Sequence, residues 1–143
     1  MILDTGCVCD GYFCDFDRNY AFESADNLTA DAYRLTHESI DAALSIVKAG
    51  VTCAELYETM NKVLRNDDNM VGRMGHGLGM RLTETPSINA SDHTVLREGM
   101  VMTLEPCLNY GHGKIMVHEE NLRVLSDGYE LLSHRAPAEI PVI

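Results

Sequence analysis

Four carboxylates and an imidazole are the residues of this chain best suited to act together: Asp4, Asp15, His76, Glu105 and Glu119. Asp4 and Asp15 flank "CDG" eleven positions apart, so a four-residue turn at Val8 to Gly11 would set them directly opposite one another. Opposed strand residues have β-carbons only about 4.5 to 5.5 Å apart, and like charges so placed repel unless a cation lies between them. Glu105 and Glu119 are fourteen positions apart, with His112 of "GHG" at the midpoint as the centre of a turn able to close an antiparallel pair. Along "VMTLE", alternation puts Val101, Thr103 and Glu105 on one face and Met102 and Leu104 on the other. An acid ending so apolar a strand is costly unless something pairs with it. A set rich in oxygen donors with one imidazole is of the kind that holds two divalent metals about 3.5 to 4 Å apart, lowering the pKa of a bridging water and polarising a carbonyl. Taken singly, each carboxylate reads as a solvated strand or turn charge and His76 as a satisfied core histidine; only the combination carries chemistry.

The elements that must position these groups follow from local signals. Residues 1 to 22 read as a hairpin around "CDG". Thr29 opens a helix with apolar positions Tyr33, Ile40, Leu44 and Val47, and Gly50 stops it. A capping box, "TCAE" from Thr52 to Glu55, opens a second helix that buries Leu56, Met60, Val63 and Leu64 before "RNDDN". From about Gly72 the pattern is extended, in "VMTLE", "KIMVHEENLRVL" and "YELL", separated by "REG", "NYGHG" and "SDG" turns. In "RMGHGLGMRLTETPS", Gly75 and Gly77 lack β-carbons, which lets backbone and cations come close to His76. The fold class expected is α+β, a single domain with antiparallel hairpins either side of a helix pair.

Composition narrows the function. The 22 acidic against 11 basic residues repel phosphate backbones, which excludes nucleic acid as a partner and suits carboxylates that hold cations. No apolar run reaches the roughly 18 residues of a spanning helix, so no membrane partner is expected and a cytoplasmic location is the default. Five cysteines without a CxxC pair read as reduced, mostly buried thiols. Met1 stands directly inside the apparent strand "MILDTG", with nothing before it to pair that strand. Two expectations follow: that further sequence once preceded it, and that the exposed strand favours homo-oligomerisation.

In the order Asp-x10-Asp, "GHGLGM", "EGMVMTLEP" and "VHEEN", the chain resembles the C-terminal portion of the pita-bread metallopeptidases. That superfamily comprises methionine aminopeptidase, Xaa-Pro peptidases, prolidase and creatinase relatives. The resemblance implies a truncated catalytic domain whose N-terminal half is missing and has to come from elsewhere. It further implies that Asp4 binds one metal, that Asp15 and Glu119 bridge both, and that His76 and Glu105 complete the other. A hydroxide between the metals would attack an amide carbonyl of a small peptide or other small substrate, with Glu105 as general base. Manganese, cobalt, iron and zinc all suit the set.

Three departures stand out. Asp17 occupies a position where the resembling segment often has threonine, and is expected to face solvent. Thr83 stands seven positions after His76, where Xaa-Pro peptidases usually carry a second histidine, which keeps ectoine-hydrolase-like and dimethylsulfoniopropionate-lyase-like chemistry open beside Xaa-Pro peptidase action. Without its first half the chain is also open to a reading as a catalytically silent fragment or binding module. His118, next to Glu119, should point to the opposite face of its strand, to support a ligand or lie exposed.

Overall fold

A computed structural model describes residues 1–65, 72–111 and 113–143. The chain opens with the hairpin β1 (Ile2–Cys9) and β2 (Tyr12–Asn19), followed by the helices α1 (Asn27–Leu44) and α2 (Cys53–Leu64). Seven short strands complete it: β3 (His76–Gly77), β4 (Glu84–Ser87), β5 (Val101–Leu104), β6 (Cys107–Asn109), β7 (Ile115–Val117), β8 (Glu120–Val124) and β9 (Tyr129–Leu131). The α+β class with antiparallel ladders around a helix pair is as the sequence indicates.

A five-stranded sheet in the order β4-β3-β5-β8-β9 forms the centre, with β6 and β7 as a separate pair. Met102 pairs with Leu122 and Leu104 with Glu120. Paired residues share a face, and Met102, Leu104, Leu122 and Val124 join Tyr33, Ile40, Leu56 and Met60 in one buried cluster beneath the helices. The alternate residues Thr103, Glu105, Glu119 and Asn121 fall on the other side of the sheet. The sheet therefore separates an apolar core from a polar face, and that polar face carries the site.

Several local expectations need correction. The first turn has two residues, not four: Asp10 (φ 50°) and Gly11 (φ 86°) both take the left-handed conformation that suits a tight "DG" hairpin. Asp4 therefore faces Asp17, and Asp15 faces Gly6. Because the slip is two residues, all three aspartates keep the same face, and Asp15 lies diagonal to Asp4. Helix α1 is capped by Asp26, whose Oδ1 accepts from Thr29 N at 2.7 Å, and it ends at Leu44, well before Gly50. The Thr52–Glu55 capping box opens α2 as expected, though Val63 is only half-buried. "KIMVHEENLRVL" is broken at His118 and Glu119 into β7 and β8. Among the cysteines only Cys53 is buried, while Cys7 and Cys9 are exposed on the hairpin. "RNDDN" beyond Arg65, and His112, lie outside the described residues.

Candidate metal centre

Backbone contacts fix His76 and Glu105 relative to one another. His76 sits on β3 with its N–H donating to Thr103 Oγ1 at 3.1 Å, and Glu105 N donates to Met74 O at 3.0 Å, which locks the two segments together. The flanking glycines are required: a β-carbon on Gly75 would lie 2.3 Å from Thr103 O, and one on Gly77 2.5 Å from Thr85 O. The ring Nδ1 of His76 lies 2.8 Å from Gly77 O; a carbonyl only accepts, so Nδ1 carries the proton. That leaves Nε2 facing Asp15 Oδ2 and Glu105 Oε2, each 3.8 Å away. Those distances are too long for hydrogen bonds and leave room for a cation.

Glu105 and Glu119 occupy the break between two ladders that keep one register, with Leu104 opposite Glu120 on one side and Cys107 opposite Val117 on the other. Ligand atoms of Asp15, His76 and Glu119 lie within 4.8 Å of one another, and so do those of Asp4, Asp17 and Glu119. Glu119 belongs to both groups. All five residues singled out in the sequence thus reach one region, with Arg73 at its rim donating Nε–H to Glu105 Oε1 at 2.9 Å.

Two neighbouring buried glutamates show what is unusual here. Glu120 accepts from Arg18 Nη2 (3.1 Å), Arg135 Nη1 (3.3 Å), Ser133 Oγ (3.0 Å) and Ala136 N (2.8 Å). Glu119, only 3% exposed, has an Oε1 with no partner at all, and so does Asp17 at Oδ1. Burial, then repulsion from Asp15, Glu105, Asp17 and Asp4, pushes the Glu119 carboxyl up to about 9. Burial and then Asp4 push Asp17 up to about 7, and the same two causes raise Asp15. A divalent cation would reverse that balance and satisfy the orphaned oxygens, so this donor set fits a metal pair.

Sequence reasoning missed two participants. Asp17 is buried, not solvated, because it shares the face of Asp4 and Asp15. Asn121 accepts from Asp15 N at 3.1 Å through Oδ1 and donates from Nδ2 to Asp15 O, tying the hairpin to β8. Strand alternation was the available signal for both: Asp15 and Asp17, like Glu119 and Asn121, are two apart. His118 does point away from Glu119, but it is fully buried, not exposed. Its Nδ1 lies 2.7 Å from Thr36 Oγ1 and its ring meets Tyr33 edge-on at 4.3 Å. Thr83 lies exposed in the loop before β4. No helix among the described residues is long and apolar enough to cross a membrane.

The model of metallopeptidase family M24 matches residues 1–127. An Xaa-Pro dipeptidase of Lactobacillus delbrueckii subsp. lactis is 30% identical over 138 residues, which is 94% of this chain and 37% of that protein. The X-Pro aminopeptidase of Thermotoga maritima superposes with a TM-score of 0.91 at 26% identity, covering 99% of this chain and 41% of the other. The prolidase of Pyrococcus furiosus superposes with a TM-score of 0.89 at 26% identity, covering 95% and 41%. The chain spans about two-fifths of the length of these relatives.

Proposed function

This chain belongs to metallopeptidase family M24, with the fold of the C-terminal portion of its pita-bread domain, and we propose from that premise that it is the metal-holding part of a dinuclear hydrolase of the Xaa-Pro peptidase type. The observation that carries the reading is the convergence of Asp4, Asp15, His76, Glu105 and Glu119, with a buried carboxylate oxygen of Glu119 left without a partner. Asp4, Asp15 and Glu119 would hold one ion and Asp15, His76, Glu105 and Glu119 the other. Oxygen donors predominate, which favours manganese, with cobalt, iron and zinc also accommodated. Two divalent ions held there would make a water between them acidic and polarise a substrate carbonyl.

The chain's own groups do the rest. Arg73 engages Glu105 Oε1 and leaves Oε2 turned to the His76 side, so the carboxylate that would help hold the metal would also stand beside the attacking water to take its proton as general base. His76 is held in one tautomer by Gly77 O, and Asn121 fixes the backbone of Asp15. The remainder of the substrate pocket would come from a partner segment corresponding to the rest of the relatives' length. The location this reading implies is cytoplasmic, and the substrate a small peptide.

One observation favours a second reading. Thr83 stands exposed where an Xaa-Pro peptidase would offer histidine to the substrate carbonyl, which suits a compact non-peptide amide or amidine of the ectoine type.

The test is manganese binding by calorimetry on the chain and on Asp15→Asn, followed by turnover of Xaa-Pro dipeptides and of ectoine when the relatives' N-terminal half is supplied. Metal uptake that Asp15→Asn abolishes supports the reading. Uptake indifferent to Asp15→Asn rejects it.

A further inference from the structure

We propose that Asp17 is a sixth protein ligand of the metal pair, on the side of Asp4, an inference that rests on the dinuclear reading above. Asp17 faces Asp4 directly across the hairpin, is 4% exposed, and keeps an Oδ1 without a partner. One of its carboxylate oxygens lies within 4.8 Å of ligand atoms of both Asp4 and Glu119. The adjacent cation does not serve that carboxylate. Arg18 Nη1 donates to the backbone carbonyls of Asp17 (2.6 Å) and Glu119 (3.0 Å), and Nη2 donates to Glu120 Oε2 (3.1 Å) and His134 O (2.5 Å).

A buried carboxylate aimed at two others, with its neighbouring arginine turned elsewhere, is stable only if a cation or a shared proton lies among them. Threonine, which the resembling segment often carries here, would bring a neutral hydroxyl. Aspartate instead adds a full charge. The four carboxylates Asp4, Asp15, Glu105 and Glu119 match the charge of two divalent ions, and a fifth offsets the positive charge that Arg73 brings to Glu105, which strengthens the hold on an oxygen-preferring metal. The site of this chain is thus distinguished by tighter metal retention on the Asp4 side.

The experiment is a manganese titration by calorimetry of the chain, Asp17→Thr, Asp17→Asn and Asp15→Asn, with melting in chelator as a check that each variant folds. Both Asp17 variants should lose about tenfold or more in affinity at one of two sites and leave the other within about twofold. A shared proton predicts instead that Asp17→Asn, which keeps a hydrogen-bonding amide, binds manganese as tightly as the parent. If the Asp17 variants bind like the parent while Asp15→Asn does not, the inference fails and the dinuclear reading stands. If the parent takes up no manganese, or Asp15→Asn binds as well as the parent, both fail.

Discussion

Asn121 grips the backbone of Asp15 from both sides, its Oδ1 accepting from the Asp15 N–H at 3.1 Å and its Nδ2 donating to the Asp15 carbonyl. Residues 106 positions apart are joined in this way, and the joint holds the N-terminal hairpin, which carries Asp4, Asp15 and Asp17, against the strand that follows Glu119. Further along β2, Arg18 reaches Glu119 O and Glu120 Oε2 and Asn19 reaches Val117 O, so the hairpin is held chiefly through polar contacts of its second strand.

Asn121→Ala should therefore act on both stability and metal binding. Leaving both backbone groups of Asp15 without partners costs about 2 kcal/mol, read as a lower urea midpoint. Misplacing Asp15 should also weaken manganese binding on the order of tenfold, because groups that orient a ligand are worth that much. A variant that is destabilised but binds manganese like the parent would show that Asn121 supports the fold alone.

The buried acids fix the sign of a pH effect in metal-free protein. Glu119 and Asp17 have folded values near 9 and 7 against ordinary values of 4.5 and 3.8, so the folded state favours their protonated forms. That stability is fully present below the ordinary values and is lost as pH rises through about 7 and then about 9. His118 acts in the opposite direction: burial lowers it from 6.5 to about 3, so its contribution is present above 6.5 and is lost as pH falls toward 3. In chelator the melting temperature should fall from about pH 6 to pH 9, and saturating manganese should remove that fall by holding the carboxylates ionised. A chelated melt that is flat across this range would contradict the burial of unpaired acid.

How much of this was legible without coordinates depended on whether parity or register was being asked. The face shared by Asp4 and Asp15 was readable because side-chain alternation survives a two-residue slip. Their partners are not, since "CVCDGY" accommodates a four-residue turn as well as the two-residue one that Asp10 and Gly11 form. Asp17 reads as solvated only when taken as a lone charge; its spacing from Asp15 puts it on the site face. The contrast between Glu119 and Glu120 was beyond sequence reasoning, because Arg135 and Ser133 reach Glu120 only through the tertiary fold.

Glu105→Gln tests the metal reading from another ligand. Manganese or cobalt at a hundredfold excess over Kd should stabilise the parent chain by about 2.7 kcal/mol, visible as a raised melting temperature. The glutamine variant removes the charge that faces His76 Nε2 across 3.8 Å and should abolish most of the rise. Equal shifts for parent and variant would place the bound ion away from Glu105.

The glycines around His76 allow a prediction with an internal control. An alanine β-carbon at Gly77 would meet Thr85 O at 2.5 Å and Thr85 C at 2.9 Å, both backbone atoms that cannot swing aside, so β3 and β4 must part. At Gly75 the obstruction is Thr103 O at 2.3 Å, with φ at 148° as a further strain. Thr103 also supplies the hydroxyl that holds His76 N, so displacing it moves the imidazole. Gly77→Ala and Gly75→Ala should each cost more than about 3 kcal/mol or prevent folding, whereas Gly128→Ala, with nothing within 4 Å, should change stability by less than about 0.5 kcal/mol. Urea unfolding of the three variants measures this directly, and a Gly77→Ala chain as stable as Gly128→Ala would mean that His76 is not held by close backbone approach.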